Sequence, residues 1–158
     1  MITKKCLAAI RIRGSVGIDK EREYAFKLMH LTRKNHAILI ENTSSNLGSI
    51  YKIKDYITWG EVTPETISLL LEKRGMLEGG KKLTETYVKE NLGYSSINEL
   101  SQAINDSKTK MTALHKLKPV FRLHPPRKGF RGSVRKPYPV GVLGYRGEAI
   151  NQLITKMI

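Results

Sequence analysis

The chain reads as an α/β protein: a small β-α-β-α-β core carrying a three-stranded sheet with helices packed on it, followed by a helical and extended C-terminal region. Three observations predict this. Short apolar or alternating segments recur at residues 5–13, 36–41 and 56–62, with helix-like patterns between them. Well-capped helices follow over 63–106. Then, over residues 107–147, the composition changes abruptly to a stretch with 11 Lys/Arg and no acidic residue.

The first strand alternates: Cys6, Ala8, Ile10 and Ile12 on one side, Leu7, Ala9, Arg11 and Arg13 on the other. "GSVG" (14–17) breaks it. A helix starts near Asp19, with Glu21 and Glu23 where the helix dipole favours acids and Ala25, Leu28, Met29 and Leu31 as its apolar stripe. "HAILIE" (36–41) is a continuous apolar run of the kind found in parallel sheets. Ser44 or Ser45 is the expected cap of a second helix that buries Leu47, Ile50, Tyr51 and Ile53. "YITWGEV" (56–62) is the third strand. The expected core comprises Ile10, Ile12, Leu28, Ile38, Ile40, Ile50 and Ile53.

Residues 63–106 read as added helices. Thr63, Pro64 and Gly75 punctuate the first of them as N-cap, first helical residue and terminator. Gly93 closes a second, over 84–93, and Ser96 with Glu99 forms a capping box for a third. Residues 107–158 are a basic arm that ends in an amphipathic helix, with Ile150, Leu153, Ile154 and Met157 on one side. The domain division is therefore 1–62, 63–106 and 107–158.

The formal net charge is +14 at pH 7, and its distribution matters more than its size. Residues 1–106 hold 16 Lys/Arg against 13 Asp/Glu, so a nearly neutral body carries a cationic arm. Within the arm, "PVFRLHPPRKGFRGSVRKPYPVG" (119–141) is too rich in Pro and Gly for a helix or a central strand. Its cations alternate with aromatic residues. Arg and Lys neutralise phosphates and release counterions, while rings such as Phe121, Phe130, Tyr138 and Tyr145 stack on unpaired bases. A solvated tail would not need Val120, Phe121, Leu123, Val140, Val142 and Leu143, so the arm is expected to order against the body. Its Pro/Gly-rich form suits irregular RNA better than duplex DNA, and no helix-turn-helix, zinc finger or basic zipper is present.

No catalytic constellation can be assembled. His30, His36, His115 and His124 lack metal-ligand spacing, and Cys6 has no second cysteine beside it. "GSVG" matches the G-x-x-G clamp of some RNA-binding domains, but a strand precedes it where that fold has a helix; a strand–helix turn is the simpler reading. No enzyme activity, cofactor or metal is expected. Cys6 excludes an internal disulfide, no apolar run reaches membrane-spanning length, and the N-terminus reads as a strand, so a cytoplasmic location is expected.

"LTRKNHAILIENTSSNLGSIYKIKDYITWGEV" (31–62) resembles the signature stretch of the universal large-subunit ribosomal protein thirty family. The likeness resumes in "KRGMLEGGKKLT" (73–84), "PVFRLHPPRKGF" (119–130) and "GEAINQLITKMI" (147–158), which matches the longer archaeal form, whose eukaryotic counterpart is large-subunit protein seven. The resemblance implies a structural constituent of the cytoplasmic large ribosomal subunit. Its partners would be large-subunit rRNA, in the neighbourhood of 5S rRNA, and adjoining ribosomal proteins, with no membrane and no homo-oligomer. A ribosome-assembly factor or a free RNA-binding regulator remains the alternative, with an RNA-modifying enzyme more remote. The residues expected to contact RNA are Arg11, Arg13, Arg33, Lys34, Lys52, Lys54, Lys118, Arg122, His124, Arg127, Lys128, Arg131, Arg135 and Lys136.

Overall fold

The computed structural model describes residues 6–114 and 116–158; His115 and the first five residues, including the expected strand start at Lys5, lie outside the described set. The three expected strands form: β1 (Cys6–Arg11), β2 (His36–Glu41) and β3 (Ile57–Glu61). β1 lies between the other two and is antiparallel to both, with Ile10 opposite Ala37 on one side and Thr58 on the other. The continuous apolar run of β2 therefore does not mark a parallel sheet, as its composition suggested. Its cause is that both faces of the sheet are covered, which removes the need for a polar face whatever the strand direction.

The alternation in β1 divides the two cores. Cys6, Ala8 and Ile10 join one buried cluster, Leu7 and Ala9 the other. On the Leu7 side lie α1 (Lys20–Leu28) and α2 (Ser44–Lys52), which supply Ala25, Phe26 and Ile50. On the Cys6 side lie α3 (Pro64–Arg74), α5 (Ile97–Asn105) and α6 (Ile150–Met157), with Leu70, Leu100 and Ile154 among the buried residues. The result is three layers, helix–sheet–helix. A short α4 (Glu85–Tyr87) runs into a wider helical turn, Val88–Leu92, that ends at left-handed Gly93.

Among the described residues the sheet has six strands, not three, because the arm extends it at both edges. β4 (Val120–Arg122) pairs antiparallel with β2. β6 (Gly141–Tyr145) pairs in parallel with β3, and β5 (Ser133–Pro137) pairs with β6 in an irregular register. The order is β4-β2-β1-β3-β6-β5. The proline-bearing strand β5 thus occupies an edge, where a missing N–H breaks no ladder.

Helix starts follow the capping chemistry, with two shifts. Asp19, Thr63 and Ser96 cap α1, α3 and α5. α2 is capped by Thr43, whose hydroxyl accepts from the Asn46 amide at 3.2 Å, rather than by Ser44 or Ser45. In the α5 box, Ser96 Oγ accepts from Glu99 N, but the Glu99 carboxylate turns back to Ser95 N at 2.7 Å instead of to Ser96. The Ser95 hydroxyl, which also donates to that carboxylate, and then the Ser95 amide hold the Glu99 carboxyl below its ordinary range.

Of the expected core, Ile10, Ile12, Ile38, Ile50 and Ile53 are buried and Ile40 is half-buried. Leu28 is exposed; it ends α1, and Phe26 fills the place assigned to it, lying edge-on to Tyr56 with ring centroids 5.7 Å apart. Tyr51 is likewise exposed rather than buried, and so is Val140 in the arm.

Candidate nucleic-acid interface

One end of the sheet gathers basic residues from three parts of the chain. β1 leaves the sheet through Arg13 into the "GSVG" turn, which Ile18 N closes onto Ser15 O at 3.3 Å. β2 enters through Arg33 and Lys34, tied to β1 by the hydrogen bond that Asn35 N donates to Arg11 O at 2.8 Å. β4 leaves beside them, with Arg122 opposite His36 and Leu123 N donating to Asn35 O at 3.1 Å. The Lys34 stem passes 3.5 Å from where a Cβ on Gly14 would lie. Arg13 Nη1 donates to Asp55 O at 3.3 Å, and its guanidinium stands 5.0 Å over the Tyr56 ring. That contact places Arg13 next to Lys54 in the turn before β3. Arg33, Lys34, Lys52, Lys54 and Arg122 are all exposed, and Arg13 is half-buried.

Arg11 does not belong to this surface. Its side chain is 2 % exposed. Nη1 donates to Leu31 O at 2.7 Å, Nε to Arg13 O at 2.9 Å and Nη2 to Ser15 Oγ at 2.9 Å, while the guanidinium lies 3.9 Å above Phe26. With one hydrogen bond on each guanidinium nitrogen and almost no exposed surface, Arg11 offers little to a phosphate. Those bonds make Arg11 an anchor that pins the β1 exit and the α1–β2 connection together, a structural role beside the RNA contact expected of it. Strand alternation placed Arg11 and Arg13 on the same face, but α1 covers the first and leaves the second at the rim.

The arm residues divide in the same way. Arg127, Lys128, Arg131, Arg135 and Lys136 are exposed, and every residue from Arg131 to Val140 is solvent-facing. Their path is held from beneath. Arg127 N bonds to Lys156 O at 3.0 Å, Gly129 N closes a turn onto Pro126 O, and Phe121 and Leu123 are buried. Phe121 is therefore core and not a stacking platform, and Phe130 packs partly against the same cluster. His124 is a packing residue: its ring nitrogens lie 2.7 Å from Ile158 O and 3.0 Å from Pro125 O, and its amide donates to Met157 O. Lys118 is half-buried, its amide bonded to Met76 O.

Two features escaped the sequence reading. Arg146 is an internal latch, with Nε donating to Thr58 Oγ1 at 2.7 Å, Nη2 to Val142 O, and the guanidinium 5.2 Å over Tyr138. Beside it, Tyr51, Trp59 and Tyr145 converge on a groove between α2 and the β3–β6 pair. Neither is visible in sequence, because β3 meets β6 across more than 80 residues. Among the described residues no cluster of His, Cys, Asp or Glu could hold a metal, and no helix is long and apolar enough to cross a membrane.

Residues 7–57 match the model of the family described as ribosomal protein L30p/L7e. The chain is 48% identical over 149 residues to the large ribosomal subunit protein uL30 of Methanopyrus kandleri, covering 93% of this chain and 100% of that protein. The chain belongs to the ribosomal protein L30p/L7e family. Other L30p/L7e relatives are as extensive. The uL30 of Methanosphaera stadtmanae is 47% identical over 151 residues, covering 96% of this chain and 99% of that protein. That of Hyperthermus butylicus is 44% identical over 164 residues, covering 98% and 91%. The likeness thus runs through the helical segment and the arm as well as the sheet, and these relatives are archaeal, as the resemblance implied.

Proposed function

We propose that this L30p/L7e protein is a structural constituent of the cytoplasmic large ribosomal subunit, not an enzyme, and that it binds and stabilises large-subunit rRNA. Its family membership supports the ribosomal role. The observation that carries the RNA reading is the exposure of basic residues at the sheet end and along the arm, on backbone that the fold holds in place. Arg33, Lys34 and Arg122 lie at the sheet end, and Arg127, Lys128, Arg131, Arg135 and Lys136 follow along the arm, within a segment that has no acidic residue to neutralise them. Such a surface neutralises phosphates, and its fixed backbone sets where they lie. Placement near 5S rRNA, beside other ribosomal proteins and as a single copy, completes the proposal.

The test is a salt titration of binding to protein-free large-subunit rRNA. Wild type is compared with a variant in which Arg127, Lys128, Arg131 and Arg135 are all changed to Ala. Every phosphate deprived of its cation should flatten the slope of log K against log[salt] by about 0.7–0.9, so freeing four phosphates lowers its magnitude by roughly three. Parallel slopes, with circular dichroism showing an intact fold, would remove the arm from the interface. Crosslinking in cells, followed by sequencing of the bound RNA, reads the 5S neighbourhood directly.

A further inference from the structure

The groove between α2, β3 and β6 has features that a phosphate-binding surface does not need. Its volume is about 520 Å³, within the range of sites that enclose a small planar ligand. Trp59 lies at its base, 4 % exposed. Tyr51 meets that indole edge-on, with centroids 5.9 Å apart and planes at 86°, and Tyr145 approaches at 6.3 Å and 48°. Both tyrosine residues are more than half exposed, at 59% and 53%. Two large rings this open beside a buried indole offer ring surface on which a planar group can stack.

The polar groups narrow the occupant. Tyr145 Oη donates to the Glu61 carboxylate, 2.6 Å and 2.7 Å from its two oxygens, which orients that carboxylate and pushes the phenol pKa up to about 12. Each Glu61 oxygen keeps lone-pair capacity for a further N–H. Asp55 also lines the groove, while Lys54 and Arg135 stand among its lining residues as cations. A phosphate inside would face two carboxylates. A neutral base would present its ring to Tyr51 and its N–H edge to Glu61, leaving its flanking phosphates to Lys54 and Arg135. We propose that this groove receives one unpaired RNA base, stacked on Tyr51, with Tyr145 at its edge and its N–H groups held by Glu61. The proposal rests on the RNA-binding reading and deepens it: it assigns the salt-independent part of binding to the aromatic and carboxylate groups of a groove that the basic surface borders at Lys54 and Arg135.

Trp59 is the only tryptophan in the chain and so reports on this groove. The full chain is titrated with a mixed-sequence single-stranded RNA and with the duplex made from it, following end-label anisotropy and tryptophan emission together. The single strand should quench Trp59 with the same midpoint as the anisotropy change; the duplex should raise anisotropy without quenching. Tyr51→Ala should weaken single-strand binding by roughly 5- to 150-fold with an unchanged salt slope, the range expected for one stacked base. Tyr51→Phe should bind as wild type, which excludes a general effect of altering α2. Tyr145→Phe should keep the stacking but free Glu61, reducing discrimination between bases. Single-strand binding without quenching, or wild-type affinity in a folded Tyr51→Ala variant, overturns the proposal and leaves rRNA binding intact. Failure of both RNAs to bind overturns both readings. A Tyr51→Ala variant that binds RNA normally but no longer assembles beside a neighbouring ribosomal protein would give the groove to that protein instead.

Discussion

Replacing Arg11 with methionine separates an internal anchor from an RNA contact. Met keeps the length and packing of the side chain on Phe26 but deletes three donors. Their acceptors are not equivalent. Leu31 is fully buried, so its carbonyl, 2.7 Å from Nη1, would be left without that partner, a cost of about 1–3 kcal/mol. Arg13 O is only partly buried and would recover some hydration, adding about 1 kcal/mol, and exposed Ser15 would add little. The cation–π contact at 3.9 Å is worth a further ~1 kcal/mol. Against these stands relief of the desolvation that lowers the Arg11 pKa. The expected net is a destabilisation of about 2–4 kcal/mol. With a urea m-value of about 2 kcal/mol/M, the unfolding midpoint should fall by roughly 1–2 M. Below that midpoint, the folded variant should bind rRNA with wild-type affinity and salt slope. A variant as stable as wild type but several-fold weaker for rRNA would return Arg11 to the interface and refute the burial argument.

Gly60→Ala should destabilise the fold by about 1–3 kcal/mol or more, because its Cβ would lie 2.0 Å from Gly147 O beneath the start of α6. Gly48→Ala, in α2 with open space around it, should instead stabilise by about 0.5–1 kcal/mol; urea unfolding of the two variants should move in opposite directions. The pKa of His36 is lowered by burial first and then by Arg122, Arg33 and Arg11, and its Nδ1 is buried without a partner among the described residues. The unfolded chain therefore takes up this proton first as pH falls. The stability held at higher pH declines once pH drops below the ordinary histidine value of about 6.5, and the decline ends below the depressed folded pKa. Arg122→Ala should raise the folded pKa and shrink that window. A phosphate bound at Arg122 should raise it too, so an NMR titration in which rRNA leaves His36 unmoved would place the phosphate elsewhere.

How much of this was legible in sequence depended on the range of the interaction that decides each feature. Local rules placed β1, β2 and β3, the helix start near Asp19 and the caps at Thr63 and Ser96, because alternation and capping are settled within a few residues. The charge asymmetry located the arm for the same reason: acids are absent from 107–147 whatever the fold. What failed was sidedness wherever a distant element decided it. Leu28 and Phe26 lie on one helix, and only the position of Tyr56 shows which of them packs inward. Val140 and Val142 are two residues apart in an apolar stretch, yet one lies at an exposed turn and the other under α6 and the sheet. The groove was out of reach altogether. Tyr51 reads as a helix core residue until β6 brings Tyr145 to the other side of Trp59.

The same distinction bears on what the net charge means. Eleven cations in 107–147 invite the inference that all of them face RNA. Arg146, in the same acid-free run, is engaged with Thr58 Oγ1 and Val142 O and holds β6 against β3. Arg11 does the equivalent work at the sheet end. Neutralising either changes the scaffold on which the exposed cations are spaced. Counterion release responds only to charges that reach phosphate, so these two should contribute nothing to the salt slope even though both count toward +14. The formal charge is therefore an upper bound on the electrostatics of binding. The lower figure is set by burial, which makes the arrangement of the arm on β3 and α6 part of the recognition surface and not merely its support.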